Sequence, residues 1–237
     1  LNNRIITMKK FLIATVVLLS SITLANAEQF RAGISVMGAV FEADGASEKF
    51  TGDHSSNTTT TDRTIKSSTE GDDAEGAFIL GSVFAEIQVS DSPLSVGVAY
   101  VPHSSDSEEA ENKQNMGTSF TAEATNKVKV SFEDLVTVYA LANLNENVYL
   151  KAGYMQVDLI TEENLGTGGA YGNDTLEGYT IGLGYNMDLA DGMFVRGEAA
   201  YMEIDGTTLT NANDSTKSVS ADGITGYGAA ISVGKSF

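Results

Sequence analysis

From Gly76 to Ser90 the chain alternates. Ala77, Ile79, Gly81, Val83, Ala85, Ile87 and Val89 are apolar or glycine, while Ser82, Glu86 and Gln88 share the other phase with Phe78, Leu80 and Phe84. Successive side chains on a strand point to opposite faces, so the pattern predicts a strand with one wholly apolar face and one mixed face. Seven further segments read the same way. Arg31–Ala43 puts Ile34, Val36, Gly38 and Val40 on one face, and Leu94–Val101 does so with Leu94, Val96, Val98 and Tyr100. Lys127–Ala142 offers Val128, Val130 and Phe132, then Val136, Val138, Ala140 and Ala142; Val148–Val157 offers Val148, Leu150, Ala152 and Tyr154. Gly178–Met187 sets Tyr179, Ile181, Leu183, Tyr185 and Met187 against Thr180, Gly182, Gly184 and Asn186. Phe194–Tyr201 sets Val195, Gly197, Ala199 and Tyr201 against Arg196 and Glu198, and Ile224–Phe237 sets Tyr227, Ala229, Ile231, Val233 and Phe237 against glycines and serines.

The connections alternate in length. Ser90–Pro93, Asn143–Asn147 and Asp188–Gly192 are short and rich in turn residues. The other four, near 44–75, 102–126, 159–176 and 204–223, are long, polar and acidic, and hold more than half of the 32 acids in the chain. Long loops without structure are unusual inside a compact soluble domain but expected on the outer side of a membrane barrel. A mean hydropathy of −0.06 does not argue against a membrane, because a spanning strand is apolar on one face only. A bilayer offers no water to free N–H and C=O groups, so strands cross it only in a closed sheet. The expected fold is all-β: an eight-stranded antiparallel up-and-down transmembrane β-barrel, with its first and last strands paired. Phe120–Thr125 or Thr207–Thr210 are the segments able to extend that pairing. The competing architecture is a secreted β-sandwich, which alternates too but does not require so clean a partition of its faces. Phe30, Phe41, Tyr100, Tyr149, Tyr154, Tyr179, Tyr185, Tyr201 and Tyr227 lie near segment ends, as interfacial girdles would.

Residues 1–27 form an address. Lys9 and Lys10 precede a mainly apolar run from Phe11 to Leu24, and Ala25-Asn26-Ala27 places small residues where a signal peptidase reads them. A secretory signal peptide cut after Ala27 is expected, with residues 1–7 lying upstream of a start at Met8; a membrane anchor is the alternative, but the run is shorter than the ~20 residues of a span. The barrel then occupies residues 28–237. The leader holds Arg4, Lys9 and Lys10 and no acid, so the exported part is more acidic than the −18 of the whole chain.

Three stretches carry a resemblance: VTVYALANLNENVYLKAGY (Val136–Tyr154), GYTIGLGYNMDL (Gly178–Leu189) and the closing GYGAAISVGKSF. With the leader, they make the chain similar to the small eight-stranded outer-membrane barrels, the group that includes the OmpA transmembrane domain, OmpX, OmpW and the opacity-type surface antigens. The resemblance implies insertion into the outer membrane, contact with its lipid, a monomer, and reading of the terminal aromatic Phe237 by the barrel-assembly machinery. Lys235 departs from that signal, which has an apolar residue two before the end.

Composition then excludes much chemistry. No cysteine means no disulfide framework, thiol nucleophile or thiolate metal site, and two histidines do not build a multi-histidine centre. An acidic chain does not suit nucleic acid, whose phosphates need cations. Glu86, Lys151, Arg196 and Glu198 fall on the inward phases and share a layer near the short-turn end; charges at membrane depth need a partner or water. They are either a gate in a narrow lumen, as the likeness to OmpA implies, or a static polar plug. Phe84, Tyr139, Met155 and Phe194 add bulk to the same face. Asp134 lies on an apolar phase, so Lys127–Asp134 is read as standing above the bilayer. His54, Ser55, His103, Ser104 and Asp106 lie in the first two outer segments, but proximity alone makes no catalytic site, and no enzyme activity, cofactor or metal is expected. Divalent cations at the acidic segments, DDAEG (Asp72–Gly76) among them, compete with a simply solvated surface. The functional expectation is a structural or surface-interaction protein with the barrel as anchor; the alternative is a narrow channel for small solutes.

Overall fold

A computed structural model describes residues 27–43, 46–50, 61–65, 74–116, 122–166, 169–215 and 217–237. Eight strands carry the architecture: β1 (Ala27–Ala43), β2 (Ala74–Val89), β3 (Leu94–Val101), β4 (Ala122–Asn143), β5 (Val148–Leu165), β6 (Asp174–Asp188), β7 (Met193–Ile204) and β8 (Ile224–Ser236). Each pairs antiparallel with its neighbours in sequence, and β8 returns to β1 from Arg31↔Ser236 to Ala43↔Ile224. The sheet is a closed eight-stranded barrel. The leader residues before Ala27 lie outside the described residues.

Period two explains both faces. Outward positions expose apolar side chains all round: Ile34 is 62%, Ile79 75%, Ile181 53% and Ile231 68% accessible. A water-soluble monomer rarely leaves so continuous an apolar surface bare, whereas a bilayer covers it. Tyr154, Tyr179, Tyr201 and Tyr227 face outward in a row across β5 to β8, with Tyr154↔Tyr179 and Tyr201↔Tyr227 in register. Glu177 and Glu203 lie just beyond them, so the row marks the outer edge of the apolar belt. The stretch from Tyr179 to Met187 then has about the length that a tilted spanning strand needs.

Tyr149 and Phe41 correct the girdle reading. Both lie on the inward phase: Tyr149 is 1% accessible, and Phe41 packs edge-on to Phe78 at 5.8 Å inside the barrel. An aromatic near a strand end is interfacial only when its phase is outward, and both residues stand one position off it.

The outer segments also depart from the expectation of structureless loops. β4 and β5 continue well beyond the apolar belt, paired as far as Asn126↔Leu165, and Ala110–Met116 folds back onto Ala122–Val128. Thr207–Thr210, Lys217–Ala221, Ala46–Phe50 and Thr61–Ile65 form a second, four-stranded antiparallel sheet. Such strands have no apolar belt to serve, so they lack the alternation that reveals a spanning strand. On the extension of β4, Lys129 bonds Asp106 at 2.9 Å and Lys127 bonds Glu109 at 2.6 Å. The bonds from Lys129 and Ser131 hold the Asp106 carboxyl below its usual range, and Glu109 raises Lys127. These charges agree with a stretch above the bilayer. It begins at a bulge where Asp134 takes φ 53° and accepts the Tyr100 hydroxyl at 2.5 Å.

Candidate functional site

Strand phase brings four charged side chains into the lumen near the short-turn end: Glu86 from β2, Lys151 from β5, and Arg196 and Glu198 from β7. They form two ion pairs. Arg196 holds Glu86 through both guanidinium ends, Nη1–Oε1 at 2.5 Å and Nη2–Oε2 at 2.9 Å, and Lys151 Nζ donates to Glu198 Oε1 at 2.8 Å. Glu86 is 2% accessible, Arg196 5% and Glu198 9%. The bidentate geometry suits a guanidinium, and two acids balance two bases, so the layer needs no imported ion.

Two tyrosines cross-link the pairs. The Tyr139 hydroxyl donates to Glu86 at 2.8 Å, while the ring of Tyr139 faces Lys151 of the other pair, with Nζ 4.6 Å from the centroid. The Tyr149 hydroxyl donates to Glu198 at 2.7 Å, while its ring lies under Arg196 at 5.0 Å. Each acid thus receives a phenol, and each base has an aromatic face. Phe84 and Phe194 flank Arg196 at 5.5 and 5.2 Å. Arg31 packs over Phe194 from the turn side and donates to Ser236 at 3.2 Å. Among the described residues no buried side-chain N or O lacks a hydrogen-bond partner.

Glycine makes room for these rings. A Cβ on Gly97 would meet Tyr139 Cζ at 2.6 Å, one on Gly33 would meet Phe84 Cζ at 2.7 Å, and one on Gly184 would overlap Tyr149 Cζ. Each ring occupies the space left by a missing side chain on another strand. Gly184→Ala is therefore expected to displace Tyr149 from Glu198 and to destabilise the barrel by about 1–3 kcal/mol, the usual cost of overpacking. Urea unfolding in lipid vesicles measures it, and a change under a few tenths of a kcal/mol would show that the ring is not confined.

The four charged residues read from the sequence are thus brought together as two pairs. Tyr139 was expected as bulk and Tyr149 as girdle; their hydroxyls, with Arg31, are the members that sequence reasoning missed. The available signal was their inward phase. The inward-facing glycines were legible only as small residues, because the cross-strand register decides which ring each one receives.

The remaining candidates stand apart. His103 Nε2 accepts the Gly81 N–H at 2.9 Å, and Nδ1 lies 3.1 Å from the Ser104 carbonyl. Its ring therefore caps a β2 edge that pairs with β3 only from Val83 downward. Asp106 is engaged by Lys129 and Ser131 instead. His54, Ser55, Asp72 and Asp73 lie outside the described residues, and among the described residues no three acidic or histidine side chains converge to hold a metal ion. Phe237 stacks on Phe30 at 5.9 Å, and its N–H donates to the Phe30 carbonyl at 2.8 Å, joining the two ends of the barrel wall.

No protein-family model matches the chain. No curated protein matches it in sequence. Solved structures do. The outer membrane protein OprG from Pseudomonas aeruginosa is 12% identical with a TM-score of 0.46, over 90% of this chain and 97% of that one. The outer membrane protease OmpT from Escherichia coli is 11% identical with a TM-score of 0.37, over 89% and 97%. Ail, the attachment invasion locus protein of Yersinia pestis, is 10% identical with a TM-score of 0.34, over 88% and 99%. The fold is a barrel of the outer-membrane type. That rests on the closed strand pairing and apolar outer face of the chain itself; activity does not follow from likenesses this distant.

Proposed function

We propose that the protein is a non-enzymatic outer-membrane anchor, whose barrel holds the β-structured outer segments as a surface for interaction with other molecules. The observation that supports this reading is the layer of two crossed ion pairs and four aromatic rings, in a barrel of a strand number whose interior side chains about fill. Export with a cut after Ala27, insertion as a monomer, contact with outer-membrane lipid and recognition of Phe237 during assembly belong to the same proposal. Divalent cations at the acidic outer segments are compatible with it and not required by it.

In planar lipid bilayers the purified barrel is expected to conduct far less than a general porin. A large, stable conductance would favour the competing reading of a channel for small solutes. Mass spectrometry of the exported protein should find Glu28 as the first residue, and a start more than a few residues away would remove the leader assignment.

A further inference from the structure

Toward its outer end the lumen is apolar. Met155, Val157, Leu159, Met202 and Ile204 belong to one buried cluster, and Phe41, Phe78, Phe132 and Leu135 line a cavity beside it. Among the described residues that line this cavity, His103 is the one titratable group. Its ring stands at a break in the barrel wall. Backbone N–H and C=O groups alternate sides along a strand, so those of Ile87, Ala85 and Val83 turn toward β3 and meet Val96, Val98 and Tyr100. By the same period Gly81 also turns toward β3, but the ladder has ended there. β3 stops at Val101, and the chain moves across to β4, where Ser105 and Asp106 pair with Phe132 and Ser131. The His103 ring takes the place of the missing strand at Gly81.

That contact fixes the charge of the ring. Nε2 accepts the Gly81 N–H at 2.9 Å, so it carries a lone pair; Nδ1 lies 3.1 Å from the Ser104 carbonyl, so it carries the proton. Both contacts select the same neutral tautomer. A second proton would sit on Nε2 and set one N–H against another. The ring is exposed, so solvent protons reach it. The charged groups of the surrounding elements are already engaged or turned away. On its own segment Asp106 is bonded by Lys129 and Ser131, and Glu109 and Glu111 pair with Lys127. On β4, Asp134 accepts the Tyr100 hydroxyl of β3. The Gly76–Ser82 stretch of β2 carries no charge, and beyond it Glu75 lies in register with Glu42 of β1 on the outward phase. The cavity wall contributed by Val157 of β5, Ile204 of β7 and Ile224 of β8 is apolar. We propose that His103 is a pH-sensitive clasp on the barrel wall. Neutral, it completes the edge of β2 at Gly81; protonated, it lets that edge go, so acid loosens the wall above Val83 while the barrel below keeps its pairing. The clasp does not depend on what the outer segments bind.

The chain has one other histidine, His54, and His54→Gln leaves a single ring to follow. In that background, nitrogen-15 shifts of the His103 ring in lipid vesicles are expected to place the proton on Nδ1 at about pH 8 and on both nitrogens at about pH 5, the interval over which an imidazole changes charge. Over the same interval the protection factor of the Gly81 amide, corrected for the intrinsic pH dependence of exchange, should fall at least about threefold, the order of one hydrogen bond. Ile87, paired with Val96 on the same edge, should stay protected. His103→Phe should hold Gly81 at the lower value at both pH values, with Ile87 unchanged as the report of an intact barrel. A proton on Nε2 at the higher pH, or a Gly81 protection factor that does not move, would overturn the proposal without any variant at position 103. An equal fall at Ile87 would mean that the whole barrel loosens, and an equal fall in His103→Phe that another group titrates; either result also overturns it.

Discussion

Arg196→Ala is expected to destabilise the barrel by about 3–5 kcal/mol and to raise its conductance. Both effects come from Glu86, which is 2% accessible and takes two hydrogen bonds from the guanidinium. Removing one partner of a buried pair leaves the other charge uncompensated, and that costs more than the pair itself contributes. Water drawn in to solvate the carboxylate would occupy the space vacated between Phe84, Tyr149 and Phe194. Two measurements follow: urea unfolding in lipid vesicles, and single-channel recording against the native protein. The double variant Arg196→Met with Glu86→Gln removes both charges and should recover much of the lost stability. A conductance unchanged in Arg196→Ala would show that the two ion pairs do not seal the lumen as one network.

Ile231→Arg tests the other face. Ile231 is 68% accessible and sits mid-strand on β8, opposite Val36 and Gly197. At an exposed site in water an arginine changes stability by no more than about 0.5 kcal/mol. At the midplane of a bilayer it costs about 2–4 kcal/mol, falling to about 0–1 near the interface. Thr225, further along β8 beyond Tyr227, supplies the interfacial comparison. The expected result is a loss of about 2–4 kcal/mol for Ile231→Arg and a much smaller one for Thr225→Arg, both in vesicles. Equal, small losses at the two positions would mean that this surface does not meet hydrocarbon.

Leu183 and Gly184 show how far local pattern reaches. Leu183 alternates with Ile181 and Tyr185, and that period alone places it outward, where it is 53% accessible. Gly184 alternates as well, but its use depends on Tyr149 of the neighbouring strand, its partner in register. The same distinction runs through the charged layer. That Glu86, Lys151, Arg196 and Glu198 point inward followed from phase. That Arg196 chooses Glu86, 110 residues away, rather than Glu198 on its own strand, followed from the stagger of a closed sheet. The outer strands show the reverse case: without a belt of apolar positions they left no period to read, although Thr207–Thr210 had been expected as a possible site of added pairing.

By itself, then, the sequence determined the number of spanning strands, their order, the alternation of faces along each uninterrupted strand and the short turns between them. These are consequences of a two-residue period and of short connections, both local properties of the chain. Only the tertiary structure decided which charges pair, which rings rest on which glycines, that the outer half of the lumen is apolar, and that the outer segments build a sheet of their own. Those depend on the shear of the closed barrel, which brings together residues far apart in sequence and is set by all eight strands at once.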